Sequence, residues 1–196
     1  MGLWDAVTGR SKVKRANLDS LFAIPNAAIT LQTAAGLNPT GLGSVCFRSA
    51  AGAAFAQTRD DVVALIREDP QAPEVEVTDD GFGYTWVVVR RAADDTGQPD
   101  IGALCTDLHA VNTSLEVQGF GSGLLCSVVP FADASGRKVG LVYLYKQGTF
   151  YAFAPTGDGK TRDNLLEISV RDQLTGELPM ESDLSRWFAL WGAPGL

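Results

Sequence analysis

His109 is the single histidine of the 196-residue chain, and it stands four residues after Cys105. On a helix that spacing places the two side chains on neighbouring turns, where an imidazole could take the thiol proton and leave a thiolate nucleophile. The helix wheel weakens the pairing. Cys105 falls nearer the apolar stripe and His109 toward its polar border, where an ordinary half-exposed imidazole belongs. A second stretch with chemical potential is "APTGDGKT", Ala154 to Thr161. It resembles a phosphate-binding loop with Ala in place of the first Gly, which would set Lys160 against a phosphate. An Asp and a Pro stand where backbone amides would have to converge, and only residues 162–196 follow, too few for the sheet and metal-binding carboxylate of such an enzyme. A charged, glycine-rich surface turn accounts for the same residues.

The acidic pairs Asp60–Asp61, Asp79–Asp80 and Asp94–Asp95 are adjacent in sequence, so their side chains diverge on either a helix or a strand and suit caps and turns better than acid–base work. "GFGSGLL", from Gly119, has a glycine-rich run, but it follows a helix and enters a strand, the reverse of the dinucleotide-binding order. Cys46, Cys105 and Cys126 are odd in number, lack CxxC spacing and offer no metal-ligand pattern with one histidine. No catalytic residue, metal or cofactor is therefore expected, and the free thiols fit a reducing cytosol.

The elements that must position these residues follow from periodicity and punctuation. "NLDSLFAIP" spaces Leu18, Leu21 and Phe22 on one helical face and meets Pro25, which predicts a short helix. "AITLQTA", "GSVCFRS" and "GAAFAQT" read as three strands, and a capping-box-like Thr58 with Asp61 opens a second helix over "TRDDVVALIRE". "PEVEVTDDGFGYTWVVVRR" predicts a hairpin around Asp80–Gly81. In "DIGALCTDLHAVNTSLEVQG", Asp100 can cap a long helix whose Ile101, Leu104, Leu108 and Leu115 share a face, with Gly119 ending it in the left-handed conformation. "LLCSVVPF", "VGLVYLY" and "TFYAFAP" make an antiparallel meander. "RDNLLEISVRDQL" and "SDLSRWFALWG" then read as helices, the last with Leu184, Trp187, Phe188 and Trp191 on one stripe. The order α-βββ-α-ββ-α-βββ-αα lacks the helices that parallel crossovers need, so an α+β protein with mainly antiparallel sheet and flanking helices is expected.

The formal net charge of −7 and pI near 4.6 argue against general nucleic-acid binding. Residues 1–15 depart from this balance. Arg10, Lys12, Lys14 and Arg15 against Asp5 make the arm +3 and leave −10 on the remainder. Leu3, Trp4 and Val7 fit one face of a short helix ahead of those cations, a composition that suits an anionic membrane surface, a partner, or a terminus packed on the domain through Trp4. The domain itself is expected over 16–196, with a breaker-rich linker near 92–100 as a place to subdivide it. No run is apolar enough to span a membrane and no secretory signal is read at the start, so a cytoplasmic protein is expected, with peripheral contact at the inner membrane face open to the arm.

The meander has apolar side chains on both faces. Val139, Leu141, Tyr143 and Tyr145 lie on one side of "VGLVYLY" with Val142 and Leu144 on the other, and Tyr151 and Phe153 lie opposite Phe150. One face must line the core, and the second must be covered by the chain or by another protein. Tyr143, Tyr145, Phe150 and Tyr151 are thus candidates for a dimer or partner surface, while Trp187 and Trp191 are candidates for that surface or for its internal cover.

Five blocks, "MGLWDAVTGR", "NLDSLFAIPNAAITLQTAAGLNPTGLGSVCFR", "CTDLHAVNTSLEVQGFGSGLLCSVVPF", "VGLVYLYKQGTFYAFAP" and "DLSRWFALWGAPGL", resemble PspAB, the PspA-associated proteins of actinobacteria, over essentially the whole chain. The resemblance implies an accessory of the phage-shock envelope-stress system, whose central member PspA is a coiled-coil protein at the inner face of the cell membrane. It brings no catalytic motif. The middle of the chain also resembles, in element order, the secretion-chaperone-like fold, in which an antiparallel sheet and helices dimerise and hold segments of other proteins. The expected function is a non-enzymatic adaptor that binds PspA or another stress-response protein. The alternatives are a small-molecule enzyme or sensor using Cys105, His109 and the Lys160 loop, and a direct binder of anionic lipid through residues 1–15.

Overall fold

The first helical stretch does not stop at Pro25. A 3-10 turn over Leu18–Ala23 leads into α1 (Ile24–Ala35), and Pro25 occupies the first turn, where its missing N–H has no intrahelical acceptor to lose. The end of α1 is closed by backbone bonds from Gly36 N–H to Gln32 O and from Leu37 N–H to Leu31 O. These coordinates come from a computed structural model that describes residues 17–49, 52–68, 72–95, 97–157 and 160–196. The arm over 1–15, with Leu3, Trp4, Val7, Arg10, Lys12, Lys14 and Arg15, lies outside the described residues.

Two expected strands are helical instead. "AITLQTA" belongs to α1, and "GAAFAQT" belongs to α2 (Ala53–Arg67), which begins after Gly52 rather than at Thr58. Both stretches are rich in Ala, the strongest helix former, and their apolar residues also satisfy the three-to-four spacing. Thr58 caps nothing, since its hydroxyl donates across to Gln118 Oε1 at 2.7 Å.

The remaining elements are the short β1 (Asn38–Pro39), β2 (Leu42–Arg48), the hairpin β3 (Glu74–Asp79) and β4 (Tyr84–Arg90), and α3 (Ile101–Leu115). They are followed by the meander β5 (Leu124–Ala132), β6 (Lys138–Leu144) and β7 (Thr149–Phe153), a two-residue pair β8 (Pro155–Thr156) and β9 (Thr161–Arg162), and α4 (Asn164–Leu174). Asp100 and Asp163 cap α3 and α4 by accepting from Ala103 N–H and Leu166 N–H. Gly119 takes the left-handed conformation at φ 90°, within a π-helical turn over Glu116–Phe120 that prolongs α3. The fold is α+β, and every strand pairing of its seven-stranded sheet is antiparallel, in the order β3-β4-β2-β5-β6-β7 with β1 on β5. Strands from before and after residues 92–100 share this sheet, because β2 pairs with both β4 and β5.

Three layers result. One face of the sheet, with Val45, Phe47, Val87, Val129, Leu141, Tyr143 and Phe150, packs against buried positions of α1, α2, α3 and α4. The opposite face, with Cys46, Trp86, Val88, Cys126, Val128, Val142, Tyr151 and Phe153, packs against residues from the end of the chain, among them Trp187 and Ala193. The helix expected over "SDLSRWFALWG" shrinks to one 3-10 turn at Leu184–Arg186. The carbonyl groups a helix would use are taken elsewhere: Trp187 O accepts from Arg162 Nη1 and Phe188 O from the Tyr151 hydroxyl, both at 2.9 Å. Residues 181–196 therefore form an irregular strap across the sheet.

Candidate functional site

The strap determines which aromatic groups are available. Its Trp187 ring lies 5.8 Å from Tyr151 and its Trp191 ring meets Phe153 edge-on at 5.1 Å. Further along, Leu196 packs so close to β6 that a Cβ on Gly140 would come within 2.7 Å of its side chain, which is why that strand position has no side chain of its own. Arg162 fixes the strap to the meander. Its guanidinium pairs with Glu167 at 2.8 and 3.0 Å, lies 5.2 Å over the Phe153 ring, and donates to Trp187 O, while Glu167 also accepts the Ala154 N–H at 2.9 Å.

Among the residues offered by the sequence as a partner surface, Tyr143, Tyr145, Phe150, Tyr151 and Trp187 are all buried within the chain, and Trp191 is half-buried. Tyr143 and Phe150 meet at 5.0 Å with their rings tilted by 53° on the helix side, and burial pushes the Tyr143 and Tyr145 phenols up to about 12. The meander's two faces are thus occupied by helices on one side and by the strap on the other.

The start of the strap depends on Glu181, a buried carboxylate that accepts from Thr149 Oγ1 and from Asp183 N–H at 2.9 Å and lies 3.5 Å from Arg186. Burial pushes its pKa up, but these hydrogen bonds and the Arg186 charge outweigh that effect and hold it below the usual range. A depressed carboxyl contributes stability above its unfolded pKa of about 4.3 and loses it as pH falls through the lower folded value. Urea melts at pH 7 and pH 3 should therefore show a loss of stability on acidification that is smaller in Glu181→Gln, which is already weaker by about 1–2 kcal/mol at pH 7. An unchanged pH slope in that variant would remove Glu181 as the strap's acid-sensitive anchor.

Cys105 and His109 are not brought together. Cys105 is 0% exposed in the helix-side core, and burial, followed by the charges of Asp107 and Asp100, pushes its thiol up to about 12. His109 faces the other way, with its ring 5.1 Å from Phe22 and Nε2 3.7 Å from Asp19 Oδ1. Nor does "APTGDGKT" open a helix. Its ends pair as β8 and β9, and Asp163, two residues after Thr161, caps α4. Among the described residues no group of three or more His, Cys, Asp and Glu side chains could hold a metal, and no helix is long and apolar enough to cross a membrane. One contact has no local signal in the sequence. Cys46 and Cys126 stand opposite each other on β2 and β5, buried on the strap side, and the contact with Cys126 pushes the Cys46 thiol far up. No spacing rule connects residues that far apart.

What stays open is a cleft of about 560 Å³ between the β5–β6 turn, the β8–β9 pair, the start of α4 and the strap. Arg137, Lys138, Lys160 and Trp191 line it, together with Asp163, whose carboxylate caps α4. Arg137 is held by Asp133 at 2.7 Å, whereas neither lysine has an ion-pair partner among the described residues. Two unpaired ammonium groups beside an indole can hold a carboxylate-bearing segment, while Ser135, which also lines the cleft, donates its hydroxyl to Asp133 Oδ1 at 2.7 Å within the β5–β6 turn.

A family model described as PspAB, PspA associated protein B, matches residues 1–195. No curated protein and no solved structure matches the chain.

Proposed function

The chain belongs to the PspA associated protein B family, and on that premise we propose that it is an accessory that binds PspA directly and performs no chemistry of its own. The observation that carries this reading is the contrast between the reactive side chains and the open cleft. Cys105 is sealed in the core away from His109, while Lys138, Lys160 and Trp191 present charge and an aromatic face to solvent. A cleft of this kind recognises an acidic segment of a protein partner. Placement near the inner membrane face belongs to the same reading and rests on the apolar residues Leu3, Trp4 and Val7 of the arm and on its four cations.

The test is complex formation with PspA from the same organism, followed by light-scattering chromatography. The Cys105→Ala/His109→Ala double variant should bind like the parent chain, whereas Lys138→Glu/Lys160→Glu should weaken the complex by about tenfold or more, the equivalent of 1.4 kcal/mol. A complex that survives deletion of residues 1–15 supports binding through the folded domain, and one that disappears moves the contact to the arm. No complex with any form would sink the direct-partner reading.

A further inference from the structure

The two edges of the sheet are treated differently. At β7 the edge is closed by the strap's approach, with Phe150 N–H donating to Pro179 O at 2.9 Å and Glu181 N–H to Phe150 O at 2.7 Å. At β3 no described strand pairs with the outer side. The bond from Asp80 N–H to Tyr84 O fixes which residues of β3 exchange backbone bonds with β4: those of even number, in register Glu74↔Arg90, Glu76↔Val88 and Thr78↔Trp86. The amides and carbonyls of Val75, Val77 and Asp79 therefore point outward. Arg67 Nη2 reaching Val75 O at 3.2 Å confirms that direction. A row of outward backbone groups is a template for one more strand.

The side chains around this edge select the strand. On the strap side of the sheet stand Glu74 and Glu76, both exposed. On the helix side Val75 and Val77 join Arg59, Asp60, Val63, Ala64 and Arg67 of α2 around a groove of about 440 Å³, with Asp60 3.3 Å from the Arg59 guanidinium. A fitting strand needs cations at alternate positions and small uncharged residues between them, because the second face is apolar at Val75 and Val77 and Arg67 leaves it with an excess positive charge. Residues 10–14 of this chain read Arg-Ser-Lys-Val-Lys, with Arg10, Lys12 and Lys14 on one face of an extended segment and Ser11 and Val13 on the other.

That segment cannot reach β3 of its own chain. Asn17 N lies 3.9 Å from where a Cβ on Gly148 would sit, in the β6–β7 turn. β6 is four strand spacings from β3, about 19 Å at ~4.8 Å each, whereas Lys14 is three residues from Asn17 and spans at most about 10 Å. We propose that the β3 edge of one copy is a docking site for residues 10–14 of a second copy, added as an edge strand with its cations against Glu74 and Glu76. The arm's +3 against the −10 of the remaining chain favours the same encounter. Exchange between two copies is reciprocal, so the assembly closes as a two-fold dimer.

The test uses the purified chain without PspA, so its result stands apart from the partner reading. Sedimentation equilibrium at low salt should show a dimer for the full chain. Deletion of residues 1–15, and separately Glu74→Lys/Glu76→Lys, should each weaken dimerisation by about tenfold or more, with circular dichroism checking that each variant is folded. Mixing the two variants restores one intact arm and one intact edge, so a heterodimer should form where neither variant alone dimerises. A monomeric full chain, variants that dimerise like the parent, or a mixture that stays monomeric would each overturn the proposal, as would an arm that binds anionic vesicles while the full chain remains a monomer.

Discussion

Replacing Trp187 by Ala is expected to lower the free energy of unfolding by about 3–5 kcal/mol. The side chain is 7% exposed, packs on Tyr151, and donates its indole N–H to Glu181 O at 3.0 Å. Truncation would open a cavity over β7 and leave the Glu181 carbonyl without that donor, two effects with the same sign. It would also loosen the two bonds that hold the following backbone, from Arg162 and Tyr151, so the loss should extend to the hydrophobic contacts of Trp191 and Leu196. Phe188 is the internal control. Its side chain is 59% exposed, and Phe188→Ala should change stability by less than about 0.5 kcal/mol. Urea denaturation of both variants checks the contrast. A Trp187 variant as stable as the parent would mean that the strap merely lies on the sheet and does not complete its core.

A comparable loss, again about 3–5 kcal/mol, is expected for Arg91→Ala, because it strands a buried carboxylate. Arg91 Nε and Nη2 bind the two oxygens of Asp107 at 2.7 and 2.8 Å, and the two side chains are 11% and 10% exposed. The pair joins the end of β4 to the middle of α3. Two charges withdrawn from water this far hold each other in place, yet a well-packed apolar pair of similar volume can be nearly as stable. The discriminating variant is therefore Arg91→Leu/Asp107→Leu, which should recover most of what either single substitution loses. If the double variant falls by the sum of the two singles, the residues act independently and the pair is not the tie between sheet and helix.

Local signals in the sequence located the β3–β4 hairpin, α3 with its Asp100 cap, the meander and α4, because each is defined by residues within a few positions of one another. Alternation within each strand separated Tyr143 and Tyr145 from Val142 and Leu144 on β6, and Phe150 from Tyr151 and Phe153 on β7, while the register that puts Phe150 beside Tyr143 belongs to the sheet. What local pattern could not give was the occupant of each face. Trp187 and Trp191 were identified as cover through composition, but in helical form, since nothing nearby in sequence says that Arg162 and Tyr151 will take the carbonyls a helix requires. The Ala-rich stretches at 28–34 and 52–58 fit both periods, and their intrinsic helix preference decided between them. The Arg91–Asp107 and Cys46–Cys126 contacts depend on chain segments meeting across the fold, and no spacing encodes them. The cleft's lysines come from a turn and a hairpin that only the tertiary structure makes neighbours.

The placement of β2 at the centre of the sheet has a kinetic consequence. It is made early in the chain, yet both its neighbours come later: β4 after α2 and β3, and β5 only after α3. A collapsing chain must close a long loop before β2 gains its first backbone partner and a second before it gains the other, and the entropy of each closure falls before its reward. The β3–β4 hairpin and the β5–β7 meander can form locally, as two separate pieces with unpaired inner edges. The slow event is the insertion of β2 between them, and the barrier it sets on refolding delays unfolding as well, since the central strand is the last from which the sheet can peel.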